Sequence, residues 1–409
     1  MTETELTTLV WIAAAAVLAP IISEQTRGLR VPSVVIEIGL GILIGPYVFN
    51  LVRPNDVVGA LSDMGLTFLM FLAGYELDLH RIKGQPLRLA SLGWLISLAM
   101  ALGFAFILVS TGLALDTLIV GLALTTTALG TLLPVLSDAG VLPTKFGAYM
   151  LGVGTVGEFG PIVMVAVLLT HKDPVISSAL LIAFVVIATV TALLATRTHQ
   201  PKVVALLRRH LHSSVQLPVR ISVLLVLLLV FLAYNLGLDV LLGAFAAGIV
   251  VNLFTKGDDS EIVESKLQAI GFGFLIPIFF VVSGIHFDLH ILLTKPSALL
   301  RLLLFVVLML VIRGTPVFLL YRKAIAKVER VSLALFSATG LPLIVVITTI
   351  GTSEGRMLPE NAAALVGAGM LSVLLFPMIG LRRLKAAEKA DRLLEEASPA
   401  DDDQIQDAD

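Results

Sequence analysis

The chain has 409 residues, 57% of them hydrophobic and 14% charged, with a mean hydropathy of +0.98. A soluble globular chain carries about 25% charged residues, so this composition excludes a soluble enzyme and points to lipid. The 28 basic and 30 acidic residues leave a net charge of −2, which excludes a nucleic-acid surface, and the lack of cysteine excludes disulfides and thiolate chemistry.

A bilayer core about 30 Å thick takes about 20 apolar residues of helix. Thirteen such windows follow one another at 7–23, 34–51, 60–77, 88–112, 116–134, 146–170, 175–195, 219–236, 239–254, 269–287, 297–320, 331–350 and 360–380. The first lacks a basic leader and a small-residue cleavage site, so it reads as a helix rather than a signal peptide. Taken alternately, the loops divide the basic residues sharply: 22 of 28 fall on one set and five on the other, with Arg313 inside a window. The positive-inside rule then places the N-terminus outside and the C-terminus in the cytoplasm. The predicted organisation is a transmembrane domain over 1–383 and a polar, acidic cytoplasmic tail over 384–409, with no soluble domain appended.

The chain also repeats itself. Gly74, Asp78, Leu79 and His80 at the end of the third window return 210 residues later as Gly284, Asp288, Leu289 and His290. The same offset pairs Thr127-Ala128-Leu129-Gly130 with Ser337-Ala338-Thr339-Gly340, and Gly157 with Gly367. Partners lie seven helices apart, an odd number, so the two copies cross in opposite senses. The prediction is an all-α integral membrane fold with an inverted-topology repeat, the first copy over 7–170, a linking helix over 175–195 and the second copy over 219–380.

Two windows should be broken. Thr125, Thr126, Thr127 and Gly130 interrupt the fifth; Ser337, Thr339, Gly340 and Pro342 interrupt the twelfth. One reading is a kink whose hydroxyls bond back to the helix. The other is a midplane cation site built from freed carbonyls, hydroxyls and half-helix ends.

A carboxylate at a helix centre costs about 2.5–3.5 kcal/mol to insert, so each one needs a reason. Glu37 lies within a turn of a helix end and is expected to snorkel, while Asp63, Glu76, Asp78, Asp116, Asp138, Asp239 and Asp288 read as terminal capping or interfacial groups. Glu158 is mid-span, within Gly152-Val153-Gly154-Thr155-Val156-Gly157-Glu158-Phe159-Gly160-Pro161, where Pro161 frees a carbonyl nearby. A carboxyl there can hold a proton or a cation by turns, which is the minimal chemistry of exchange; a structural glutamate is the alternative. Arg313, also mid-span, cannot release its proton at physiological pH and serves as a fixed counter-charge, structural or tuning, with Glu158 a conceivable partner. The seven histidines read as loop or helix-end residues and suggest no metal site. HExxH, GxSxG and P-loop motifs do not occur.

In order along the chain stand Leu29-Arg30-Val31-Pro32-Ser33, Gly41-Ile42-Leu43-Ile44-Gly45-Pro46, Phe71-Leu72-Ala73-Gly74-Tyr75-Glu76-Leu77-Asp78, Gly243-Ala244-Phe245-Ala246-Ala247-Gly248 and Phe274-Leu275-Ile276-Pro277-Ile278-Phe279-Phe280-Val281-Val282-Ser283-Gly284. In this order they resemble the membrane domain of the monovalent cation:proton antiporter family of the Kef and sodium/proton-exchanger type, over about 25–380. The resemblance implies thirteen helices, a dimerisation domain, a mobile core moving like an elevator, and broken fifth and twelfth helices that cross. It also implies an ion-binding acid on the next helix, usually Asp preceded by Asp, Asn or Gln. Here those positions are Gly157 and Glu158, and Arg313 stands where relatives place a basic residue. One acid makes a 1:1, electroneutral exchange the natural expectation.

The expected protein is thus a homodimeric secondary transporter of the cytoplasmic membrane, not an enzyme, without a cofactor, exchanging Na⁺ or K⁺ for protons. Glu158 carries the site, with Thr125, Thr126, Thr127, Ser337, Thr339 and the backbone near Gly130 and Gly340 as oxygen ligands. A gated potassium-efflux channel and a transport-inactive sensor or scaffold are the rival readings.

Overall fold

In a computed structural model the described residues are 2–25, 31–52, 55–76, 82–168, scattered positions between 176 and 190, 216–238, 240–255 and 260–397. Among them there is helix and no strand. The helices are α1 (Glu3–Gln25), α2 (Ser33–Ile44), α3 (Asp56–Tyr75), α4 (Gln85–Ser110), α5 (Thr117–Leu124), α6 (Leu129–Asp138), α7 (Lys145–Leu168), α8 (Leu217–Leu236) and α9 (Val240–Thr255). There follow α10 (Ser260–Ile270), α11 (Ile276–His286), α12 (Leu289–Thr294), α13 (Pro296–Leu320), α14 (Lys327–Ser337), α15 (Pro342–Ser353) and α16 (Pro359–Ala397). Nine described helical stretches are long and apolar enough to cross a membrane, with three shorter apolar helices over 33–44, 117–133 and 240–253.

Helices therefore stand at twelve of the thirteen predicted windows. Of the seventh window only scattered positions between 176 and 190 are described, all of them helical, while the 197–220 loop as far as 215, Asp78, His80, Asp239 and the acidic end of the tail lie outside the described residues. Local chemistry sets several boundaries. Asn55 caps α3 by accepting from Val58 N at 2.9 Å, and Asp116 caps α5 by accepting from Leu118 N and Ile119 N at 2.7 and 3.0 Å. Asp288 caps α12 through Ile291 N at 3.0 Å. Those two aspartates do what a terminal carboxylate is expected to do. Glu37 does not: it is only 5% exposed, because α2 packs between α1 and α11 and buries the face on which Glu37 sits, leaving it no route to the interface. The tenth window is longer than predicted. A π-helical turn over Gly271–Leu275 joins α10 to α11, where Pro277 removes a helical donor.

Helices pack mainly within two groups. α1, α2, α3, α8, α9, α10 and α11 form one, and α4 to α7 with α13 to α16 form the other. In the first group two close crossings mirror each other. At α3–α9, a methyl on Gly74 would strike the backbone of Phe245, and one on Gly248 the backbone of Phe71. At α11–α2, Gly284 meets Ile38 and Gly41 meets Val281 in the same way. Such contacts let two backbones approach as only glycine allows in a membrane protein. Gly74 and Phe71 precede Gly284 and Val281 by 210 residues, and Ile38 and Gly41 precede Phe245 and Gly248 by 207. Each contact of one crossing thus has its counterpart in the other.

Candidate ion-exchange site

The second helix group is built around two interrupted helices. α5 stops at Leu124 and α6 resumes at Leu129; α14 stops at Ser337 and α15 resumes at Pro342. Both breaks fall where the Thr/Ser/Gly/Pro pattern placed them, except that Gly130 lies in the first turn of α6 rather than in the gap. Every residue from Thr125 to Ala128 and from Ser337 to Leu341 is buried. The breaks touch: Thr127 Oγ1 donates to Ser337 O at 2.6 Å, and Ala128 N donates to Thr339 O at 2.7 Å.

A chain broken inside a membrane must satisfy its backbone within the protein. Pro161 has no N–H to give the Gly157 carbonyl, and Thr127 N takes that carbonyl at 3.0 Å. Leu129 N and Gly130 N, at the start of α6, lie beside the carboxylate of Glu158. Across the crossing, Gly340 N donates to Ser372 Oγ at 3.1 Å, and Ser372 Oγ lies 3.2 Å from Gly340 O and 2.7 Å from Gly369 O. The α6 half-helix therefore aims its positive end at an acid, while the α15 half-helix is closed by a serine.

Glu158 is buried, 8% exposed, one residue from the point where α7 meets the first break. Arg313 is equally buried, yet the two form no ion pair. The guanidinium gives Nη2 to Thr127 Oγ1 at 2.7 Å, Nε to Ser337 O at 3.1 Å and Nη1 to Ser97 Oγ at 3.4 Å. Its charge sits on the crossing itself, and its expected pairing with Glu158 is replaced by three neutral acceptors. Gly157 explains the fit. A methyl there would run into Thr127 Oγ1 and Arg313 Nη2, so the glycine preceding the acid makes the room that the arginine fills.

The candidate hydroxyls divide into two kinds. Those of Thr125, Thr126 and Thr339 donate back to Leu122 O, Ala123 O and Leu335 O at 2.8, 3.0 and 3.1 Å, which leaves their oxygen lone pairs free. Thr127 both donates to Ser337 and accepts from Arg313, so it is committed to the crossing. Ser337 Oγ donates to Ala334 O at 2.9 Å, and the Ser337 carbonyl serves Thr127 and Arg313.

Glu76 is the functional candidate that sequence reading missed. It ends α3, close enough to Glu158 for the two carboxyls to repel each other when both are charged. Glu264 of α10 stands in the same relation to Glu76. The motif around Gly74-Tyr75-Glu76 marks the residue, but nothing in the sequence reports that the end of α3 comes near Glu158. Along the same boundary runs a cleft of about 480 Å³, walled by Trp94, Thr155, Val163 and Ile249, where Phe159 stacks on Phe245 with ring centroids 5.0 Å apart.

At one end of the core the half-helices are tied by charge. Arg356, beyond α15, donates Nε and Nη2 to Asp116 Oδ2 at 3.0 and 2.8 Å, and Nη1 to Glu354 at 3.3 Å. Partial burial works against the Arg356 charge, but the hydrogen bonds and charge of Asp116 outweigh it and hold the guanidinium above its ordinary value. At the other end the corresponding contacts are apolar, with Phe146 edge-on to Phe336 at 6.1 Å beside Leu132, Leu136 and Leu333.

Residues 13–381 match the family described as "Sodium/hydrogen exchanger, transmembrane". The chain is similar to the putative Na(+)/H(+) antiporter YjbQ of Bacillus subtilis, 26% identical over 96% of this chain and 65% of that protein. It thus spans slightly less than two-thirds of that relative's length. It is also similar to the probable Na(+)/H(+) antiporter 3 of Methanocaldococcus jannaschii, 24% identical over 66% of this chain and 69% of the other. Among solved structures, the sodium proton antiporter MjNhaP1 of M. jannaschii at pH 8 shares the fold, with a TM-score of 0.66, 18% identity, 96% of this chain covered and 100% of that one. The chain is a multi-pass membrane protein and a member of the sodium/hydrogen exchanger family.

Proposed function

We propose that this chain exchanges a monovalent cation, Na⁺ or K⁺, for protons across the cytoplasmic membrane. The observation that carries the reading is Glu158: a buried carboxyl, not paired with an arginine, beside the start of an interrupted helix. A proton or a cation can neutralise it, and each must leave before the other binds. Thr125, Thr126 and Thr339 are the proposed neutral ligands. Ser337 contributes through its hydroxyl, and Thr127 holds the crossing in shape. Arg313 is a permanent charge that joins the two breaks and takes no part in proton transfer.

The architecture proposed with it is thirteen crossings, N-terminus outside and tail inside, in two inverted copies. The matched Gly74/Phe245 and Gly284/Ile38 contacts support the repeat, as does the meeting of Thr127 with Ser337, its partner at the 210-residue offset. The first helix group would serve as the fixed, dimeric part and the second as the moving part. The apolar cleft and the Phe159–Phe245 stack lie along the surface on which they would slide.

The test is dissipation of an imposed pH gradient in proteoliposomes on adding Na⁺, K⁺ or Li⁺. Saturable, cation-dependent dissipation supports exchange and identifies the ion. No dissipation with any cation, from protein shown to be folded and inserted, rules it out. One carrying acid predicts 1:1 exchange, so a membrane potential imposed alone should drive no net flux; if it does, a second titrating group takes part, and Glu76 is the first to test.

A further inference from the structure

Beside Arg313, α4, α7 and α13 line a small, partly open cavity whose wall includes Trp94, Ser97, Arg313, Pro316 and Tyr321. It admits about 10 Å³ of water-sized sphere, close to the room one water molecule needs. Two of its wall residues carry buried polar atoms that meet no protein partner: Trp94 Nε1 and Tyr321 Oη. The side chains are 7% and 1% exposed. A buried donor left unmade costs on the order of 1–3 kcal/mol, and two around one small cavity call for a shared partner.

The neighbouring groups define what that partner is. Ser97 Oγ gives its proton to Ile312 O at 2.9 Å, a carbonyl that Pro316 leaves free four residues on, so Ser97 faces the cavity as an acceptor. Arg313 Nη1 reaches Ser97 only at 3.4 Å and has a second N–H to give. Trp94 Nε1 is a donor, and Tyr321 Oη both gives and takes. A guest must accept two or three hydrogen bonds, return one and be no larger than a single oxygen. Water meets all of these; a carboxylate, phosphate or chloride is too large.

We propose that one ordered water occupies this cavity, accepting from Arg313 Nη1 and Trp94 Nε1 and bonding to Tyr321 Oη, and that Trp94 and Tyr321 are thereby positioning residues for Arg313. The water fixes the back of the guanidinium while Thr127 and Ser337 fix its front. Trp94 carries the link further, because its indole lies flat against Gly160 of α7, where a methyl would meet the ring at 2.6 Å. The water thus connects the arginine at the crossing to the helix that carries Glu158.

The direct test is an experimental structure of the full chain in a lipid nanodisc, at a resolution that shows bound waters. It should show a density peak within hydrogen-bonding distance of Trp94 Nε1, Tyr321 Oη and Arg313 Nη1, lost in Tyr321→Phe with the backbone unmoved. A dry cavity, or Trp94 Nε1 bonded directly to Tyr321 Oη, overturns the proposal. A second test rests on the exchange reading. Tyr321→Phe and Trp94→Phe, each losing about one net hydrogen bond, should each slow maximal exchange about fivefold without altering the cation KM, and the double variant should be no slower than either alone. Multiplying effects overturn the shared water. If the chain moves no ion at all, the exchange reading fails while the density still decides the water.

Discussion

The two halves of the chain agree where helices only pack and part company where the site lies. In the first helix group, Gly74 against Phe245 and Gly284 against Ile38 are the same contact made twice. In the second group, the counterpart of Glu158 at the 210-residue offset is Ala368, that of Arg313 is Gly103, and the second break is closed by Ser372 rather than by an acid. An interrupted helix in each copy provides the crossing. The acid and the arginine proposed to carry the chemistry have no counterpart at that offset. Symmetry here belongs to the scaffold, and function lies in the departure from it.

That contrast can be broken by substitution, and the largest effect is expected at Gly157. Gly157→Ala places a methyl against Thr127 Oγ1 and Arg313 Nη2, and should abolish exchange with a stability loss of about 1–3 kcal/mol, read by thermal unfolding in detergent. Its counterpart Gly367→Ala meets only the flexible Leu302 Cδ1 at 2.6 Å, and should keep most of the activity. Equal losses would contradict the asymmetry. Gly74→Ala and Gly284→Ala should instead destabilise alike.

Next in size is Arg313. Arg313→Ala leaves Thr127 and Ser337 without their shared donor and should lower maximal exchange at least tenfold. Arg313→Lys should restore only part of it, because one ammonium cannot serve three separated acceptors as a planar fork does. Were Arg313 a simple counter-charge, lysine would restore it fully. Smaller still is Glu76→Gln, expected to raise the cation KM several-fold with the maximal rate retained, since Glu76 acts on Glu158 only through space. The least change is expected from Arg356→Ala, a loss of about 1 kcal/mol on thermal unfolding with exchange preserved, because the pair with Asp116 is partly solvated.

What the sequence could and could not disclose follows from the same physics. The breaks were legible because Thr, Gly and Pro interrupt a helix wherever it lies. Glu158 was legible because a carboxyl twelve residues into an apolar run has no water nearby. Depth along a helix can be counted, but direction around it cannot. Glu76 and Glu37 therefore passed as helix-end groups, although Glu76 comes within charge range of Glu158 and Glu37 is buried in the packing of α2. The acceptors of Arg313, by contrast, lie 186 residues back and 24 residues on in the chain, where no local pattern could name them.

Competition at one carboxyl also fixes the sign of the pH dependence. If protons and cations compete at Glu158 as proposed, lowering the pH on the cation-loading side should raise the apparent cation KM while leaving the maximal rate at saturating cation unchanged. The most direct measurement remains cation-driven dissipation of a pH gradient in proteoliposomes containing Glu158→Gln, compared with the unaltered chain at matched insertion. Glutamine keeps the size and an acceptor oxygen but can neither release a proton nor carry a charge. Complete loss of exchange, with folding and insertion unchanged, is the predicted result. Exchange that survives the substitution would contradict the account and move the ion site elsewhere in the core.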